Sequence, residues 1–146
     1  VFLVNRALEE VLSRGTARSA EGMGIPGGVC GKTGTTNDLR DAWFAAFSGD
    51  LVVVTWVGAD DYRPVGLTGA TGALPIAGRI LARAASPWER KPPPGVVFRP
   101  VDVPGGAADG TRETLLLPFL SGTEPPHKES GIIPAVMRAL RSLWPF

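Results

Sequence analysis

At 146 residues the chain is long enough to bury one core, and its 44% hydrophobic and 20% charged content is that of a globular protein rather than a disordered one. A net charge of +1 excludes a dominant electrostatic attraction to nucleic acid or to an anionic membrane surface. The single cysteine, Cys30, excludes an internal disulfide and a cysteine-rich metal site.

Val1, Val4, Leu8, Val11 and Leu12 recur on one helical face, with Arg6, Glu9, Glu10 and Arg14 mostly off it, so the chain opens on a helix that Gly15 stops. It starts without a capping residue or a methionine and reads as the C-terminal piece of a longer protein. Residues 15–28 are rich in Gly, Ser, Thr and Ala and read as loop. Gly22-x-Gly24-x-x-Gly27 matches a dinucleotide fingerprint only in letters, because no strand precedes it and Pro26-Gly27-Gly28 denies it the following helix. Gly31-Lys32-Thr33 is no P-loop either: proline holds position 26, where that motif needs glycine, and Gly34 opposes the helix that must follow.

The stretch Gly31-Lys32-Thr33-Gly34-Thr35-Thr36-Asn37-Asp38 packs a cation, hydroxyls and two glycines between apolar runs. Lysine supplies positive charge, threonines supply hydroxyls for a carboxylate or oxyanion, and glycine lets a ligand approach the backbone. Val29-Cys30 leads into it as a strand, and residues 42–47 and 51–57 form a hairpin around Ser48-Gly49-Asp50, which predicts a three-stranded antiparallel meander. No apolar run approaches the length of a bilayer span. Trp43, Phe47 and Trp56 are expected in the core. Arg40 and Asp41 are expected to pair and brace the loop, Thr36, Asn37 and Asp38 to make the turn, and Asp60 and Asp61 to sit in solvent rather than on a metal.

A Gly/Thr turn then leads into a helix beginning near Pro75, with Ile76, Ile80 and Ala84 as its buried stripe and Arg79 and Arg83 in solvent. Residues 86–95 read as a stiff proline-rich linker dividing residues 1–85 from a C-terminal extension, 96–146, with two short strands and a terminal helix over 134–144. His127 stands in a proline-rich tail without a Ser or Asp partner. The fold class is α+β, an antiparallel sheet with packed helices.

The ordered set Gly31 to Asp38, Arg40-Asp41-Ala42-Trp43-Phe44, Val54-x-Trp56-Val57-Gly58-x-Asp60-Asp61, the Gly69 to Pro75 turn and Leu117 to Pro125 resembles the transpeptidase domain of class A penicillin-binding proteins and the tail after it. Helix one, ending Arg14-Gly15-Thr16, fits the same pattern. The resemblance implies the C-terminal part of that transpeptidase fold in a bifunctional peptidoglycan synthase. It implies serine acyl transfer using Ser-x-x-Lys, Ser-x-Asn and Lys-Thr-Gly motifs. Only the third occurs here: no serine has lysine three residues on or asparagine two residues on, so the chain carries no nucleophile motif.

By the same resemblance Lys32 edges the cleft and attracts the substrate carboxylate, Thr33 and Thr35 hydrogen-bond it, the Thr35 N–H is half of an oxyanion hole, and Gly34 leaves the wall bare for an extended peptide. Cys30 departs from the small apolar residue usual before the motif and reads as a buried substitute. The implied partners are the D-Ala-D-Ala stem peptide and β-lactams, with no metal, organic cofactor or nucleic acid, and a membrane reached only through an upstream anchor on the extracytoplasmic, periplasmic face of the inner membrane. A serine β-lactamase or D,D-carboxypeptidase relative, and a non-catalytic stem-peptide-binding module, are the alternative readings.

Overall fold

The computed structural model describes residues 1–104 and 112–125; the terminal helix expected over 134–144 and His127 lie outside them. Its described elements are helix α1 (Phe2–Ser13), strands β1 (Cys30–Thr35), β2 (Ala42–Phe47) and β3 (Val52–Val57), helix α2 (Leu74–Ala84), and strands β4 (Val96–Pro104) and β5 (Arg112–Leu120). The class is α+β, as the sequence predicts. β1, β2 and β3 form an antiparallel meander in that order, and β4 pairs with β5 as a second antiparallel sheet.

The meander register explains which residues face the core. Phe44 is opposite Thr33 and Thr55, and Ala46 is opposite Gly31 and Val53, so these share one face. Phe44, Ala46 and Val53 on that face are buried with Val29, Ala17, Ala20, Ala73, Leu74, Ala77 and Leu81, and Val11 and Leu12 of α1 pack against them. Gly31 is needed beneath α1: a Cβ there would come within 2.8 Å of the Phe44 ring and 3.2 Å of Leu12.

Three expectations are corrected. Trp43 and Trp56 are each 43% exposed rather than core. They face each other across β2 and β3 on the outer face, where alternation puts every neighbour of a buried residue. On α2 the buried residues are Leu74, Ala77, Gly78 and Leu81, while Ile76 and Ile80 are 46% and 43% exposed and Ala84 is exposed too. The stripe is turned by one residue because Gly78 lets Met23 pack onto the helix; a Cβ there would lie 2.7 Å from the Met23 methyl. Arg40 does not pair with Asp41: it bonds the Tyr62 carbonyl at 2.5 Å and lies 3.5 Å from Asp38.

On α1, Val1 and Val4 are exposed, and Leu8, Val11 and Leu12 carry the partly buried face. Phe2 meets Phe98 of β4 edge-on with ring centroids 6.4 Å apart. Arg14 bonds Glu113 of β5 at 2.6 Å, so α1 touches both sheets. No described helix is long and apolar enough to cross a membrane.

Candidate functional site

β1 is an edge strand, so one side of its backbone is without a sheet partner among the described residues. Lys32 and Thr35 are exposed and Thr33 and Gly34 half-buried. All four sequence-predicted site residues therefore lie on one accessible strand. The Lys32 ammonium folds along it, donating to the Thr33 carbonyl at 2.9 Å and reaching Thr33 Oγ1 at 3.4 Å.

Two partners of this strand come from distant segments. Thr16, in the turn after α1, places its hydroxyl 2.6 Å from Thr33 Oγ1. Gly69 donates its backbone N–H to Thr35 Oγ1 at 3.0 Å. Gly69 opens a wide helical turn, Gly69–Ala73, capped by Thr68, whose hydroxyl accepts from the Thr71 N–H while the Thr71 hydroxyl accepts from the Thr68 N–H. The turn comes so close that a Cβ at 69 would sit 2.3 Å from the Trp43 carbonyl oxygen and 2.6 Å from that of Gly34. Only glycine permits that approach. With one lone pair of Thr35 Oγ1 filled by Gly69, its own O–H remains a donor.

The turn after β1 is rigidly braced. Thr36 Oγ1 donates to Asp41 Oδ2 at 3.1 Å and accepts from the Asp41 N–H at 2.8 Å. Asp41 Oδ1 accepts from Trp56 Nε1 at 2.9 Å, and Trp56 leans on Trp43 with ring centroids 6.1 Å apart. Trp43 is directly opposite Gly34. The bare position of the motif thus borders an aromatic pair locked to Asp41. Asp38 and Leu39 take φ of 58° and 53°, and the Leu39 carbonyl accepts from Val65 and Gly66, which ties the loop to residues 62–66.

Other candidates add no reactive group beside Lys32 to Thr35. Asp60 and Asp61 are exposed, with Asp61 3.6 Å from Arg63, and no group of three acidic, His or Cys side chains among the described residues could hold a metal. Gly22, Gly24 and Gly27 lie in loop, as expected. Cys30 is fully buried, its thiol donating to the Asn5 carbonyl at 3.2 Å, and burial pushes its pKa up, which opposes a nucleophilic role.

A 106-residue stretch of the chain is 40% identical to penicillin-binding protein 1B of Escherichia coli, taking 71% of this chain and 12% of that protein. Over 135 residues it is 36% identical to penicillin-binding protein 1A of Pseudomonas aeruginosa, taking 86% of this chain and 16% of that one. The crystal structure of penicillin-binding protein 1A from Haemophilus influenzae matches with a TM-score of 0.64 and 31% identity, over 86% of this chain and 21% of that one. The chain belongs to the class A penicillin-binding proteins.

It spans 12% to 16% of the length of the two curated relatives. No family model matches it. Within this class A penicillin-binding protein sequence, Thr16 and Gly69 are the site residues that sequence reading alone left unassigned. The Gly69-Ala70-Thr71-Gly72 turn was visible as a motif, but its bond to Thr35 spans 34 residues and has no local signature.

Proposed function

We propose that this chain supplies the substrate-carboxylate wall of a serine-type D-Ala-D-Ala transpeptidase in a peptidoglycan synthase. The observation that carries the reading is the arrangement of Lys32, Thr33, Gly34 and Thr35 on one accessible edge strand, with the Gly69 N–H holding the Thr35 hydroxyl. An ammonium and two hydroxyls on one strand suit a terminal carboxylate, because charge-assisted hydrogen bonds are the strong ones. Gly34 keeps the strand open to an extended D-Ala-D-Ala end or a β-lactam, and the Thr35 N–H serves as one oxyanion donor. In a complete site such a donor is worth roughly 2.7–4 kcal/mol.

The parent reaction is acylation of a serine by the penultimate D-Ala carbonyl with release of the terminal D-Ala. The acyl group then passes to an amine of a neighbouring stem peptide. The serine, its lysine and the Ser-x-Asn motif are absent from this sequence, so the chain by itself is inactive. Residues 1–85 belong to the transpeptidase domain and 96–146 to an extension. The parent works on the extracytoplasmic face of the inner membrane, needing neither metal nor organic cofactor.

Two measurements test the reading. Intact-mass analysis after incubation with a penicillin is expected to show no adduct; a stoichiometric adduct mapped to a serine would contradict the assignment of roles. NMR titration of the chain with D-Ala-D-Ala is expected to shift the Lys32–Thr35 amides selectively, and an absence of response there would sink the carboxylate wall.

A further inference from the structure

Residues 86–90, expected as linker, are strapped across the segment that feeds β1. The Trp88 N–H donates to the Gly27 carbonyl at 3.0 Å. The Trp88 ring packs on Phe47 with centroids 6.0 Å apart, and a Cβ on Gly49 would meet it at 2.9 Å. Gly28, at a φ of 85°, passes under the Trp88 carbonyl so closely that a Cβ there would lie 1.9 Å from its oxygen. A linker that only spaced two parts of the chain would make no such contacts.

Arg90 closes the strap. Its guanidinium lies 4.3 Å from the centroid of the Trp88 ring, donates from Nη1 to the Gly28 carbonyl at 2.7 Å, and donates from Nη2 to Glu9 Oε2 on α1 at 2.8 Å. Its side chain is only 10% exposed, and Nε is buried without a partner. Burying a guanidinium is costly, and an unpartnered N–H adds to the cost, so the site holds Arg90 against a desolvation penalty. Lysine cannot replace this: a single ammonium has neither the fork that spans Gly28 and Glu9 nor the flat face that stacks on Trp88.

Gly28 precedes the first residue of β1 by two positions, and Lys32 follows that residue by two. Beside Arg90, the Cys30 thiol bonds the Asn5 carbonyl of α1 at 3.2 Å. The start of the Lys-Thr-Gly strand is therefore clamped to α1 by Cys30 and, through Arg90, by Glu9. Thr16, which touches Thr33, follows α1 directly.

We infer that Arg90 is a positioning residue: with Trp88 it sets the register of β1 against α1, and through it the placing of Lys32 and Thr33 beside Thr16. This inference rests on reading that strand as a carboxylate-binding wall. It also makes the segment after α2 part of the site's support rather than a passive connection.

The test uses the 146-residue chain with Arg90→Lys, Arg90→Gln and Glu9→Gln, read by hydrogen exchange and by D-Ala-D-Ala titration, with urea unfolding as the measure of global stability. In Arg90→Gln the Cys30–Thr33 amides are expected to exchange about tenfold faster relative to those of β3, equal to about 1.4 kcal/mol of local opening. D-Ala-D-Ala affinity is expected to fall by a similar factor, and Arg90→Lys to restore little of either. Glu9→Gln, which keeps the side chain's shape, is expected to give part of the effect and to add little in combination with Arg90→Gln.

Uniform acceleration across all three strands, tracking the urea midpoint, would overturn the inference in favour of a purely structural clasp. So would an Arg90→Lys chain that behaves like the original, or a β1 change with unaltered D-Ala-D-Ala affinity. If the unsubstituted chain fails to respond to D-Ala-D-Ala, the carboxylate-wall reading falls. The exchange pattern then decides separately whether Arg90 sets β1.

Discussion

The backbone N–H of Gly69 donates to the hydroxyl of Thr35 across a contact that no other residue at position 69 could make, because a Cβ would strike the carbonyl oxygens of Trp43 and Gly34. A glycine in the turn before α2 thereby orients a hydroxyl on β1. Gly69→Ala is expected to push the turn off the strand, free the Thr35 hydroxyl to rotate, and destabilise the fold by about 1–3 kcal/mol, the usual cost of overpacking. Urea unfolding reads the stability, and the Gly69 and Thr35 amide shifts read the local change. Unchanged Thr35 shifts in a folded Gly69→Ala chain would remove this bond from the account.

The wall should lose affinity unequally when its members are removed. Thr35→Val keeps the shape and deletes both the proposed carboxylate bond and the acceptor for Gly69, and a hydrogen bond to a charged group is worth about 1.5–3 kcal/mol. D-Ala-D-Ala affinity should fall roughly tenfold to a hundredfold. Lys32 is exposed and already donates to the strand's own carbonyl, so Lys32→Met should cost about 1 kcal/mol or less. Its loss should also abolish most of the salt dependence of binding, since exposed charge pairs are screened. Equal losses for both variants, or a salt dependence that survives Lys32→Met, would reassign the roles.

The meander was legible because two short apolar runs rich in β-branched and aromatic residues flank Ser48-Gly49-Asp50, a pattern that favours paired strands. The accessible strand was legible from the residue types that no core position would hold. The facing of Trp43 and Trp56 was not: side-chain size argues for burial, while register assigns the face, and register was settled by Phe44 and Ala46. The α2 stripe went astray for a related reason, since small residues, Ala77 and Gly78, take the buried positions and leave Ile76 and Ile80 outside. Proline-rich composition hid the Trp88–Arg90 strap, whose bonds to Glu9 and Gly28 reach across 81 and 62 residues. Thr16 was invisible for the same reason, meeting Thr33 17 residues away.

The Trp43–Trp56 pair offers a direct optical check on the outer face. Trp56 donates to Asp41, which in turn holds Thr36, so Trp56→Phe should loosen the turn after β1 while leaving the ring packing on Trp43 largely intact. The expected loss is about 0.5–1.5 kcal/mol, that of one hydrogen bond. The Trp43 ring should stay as shielded from acrylamide as before, while the Thr36 and Asp41 amides exchange faster. A variant with unaltered exchange at Asp41 would show that the indole N–H does not brace the loop.

Cys30 gives a prediction with a pH sign. Burial is the leading cause of its raised pKa, outweighing the attraction of Arg90 for a thiolate. An unfolded thiol titrates near about 8.5, so the folded state holds its proton more tightly than the unfolded one. The contribution of Cys30 to stability is therefore complete below the unfolded pKa and is lost as pH rises from there through the higher folded value. Urea midpoints should fall more steeply above about pH 8.5 for the original chain than for Cys30→Ala. The thiol should resist a disulfide reagent at neutral pH until urea opens the chain, because both access and thiolate are withheld. Rapid labelling of the folded chain at pH 7, or identical alkaline slopes for the two proteins, would refute a buried, protonated Cys30.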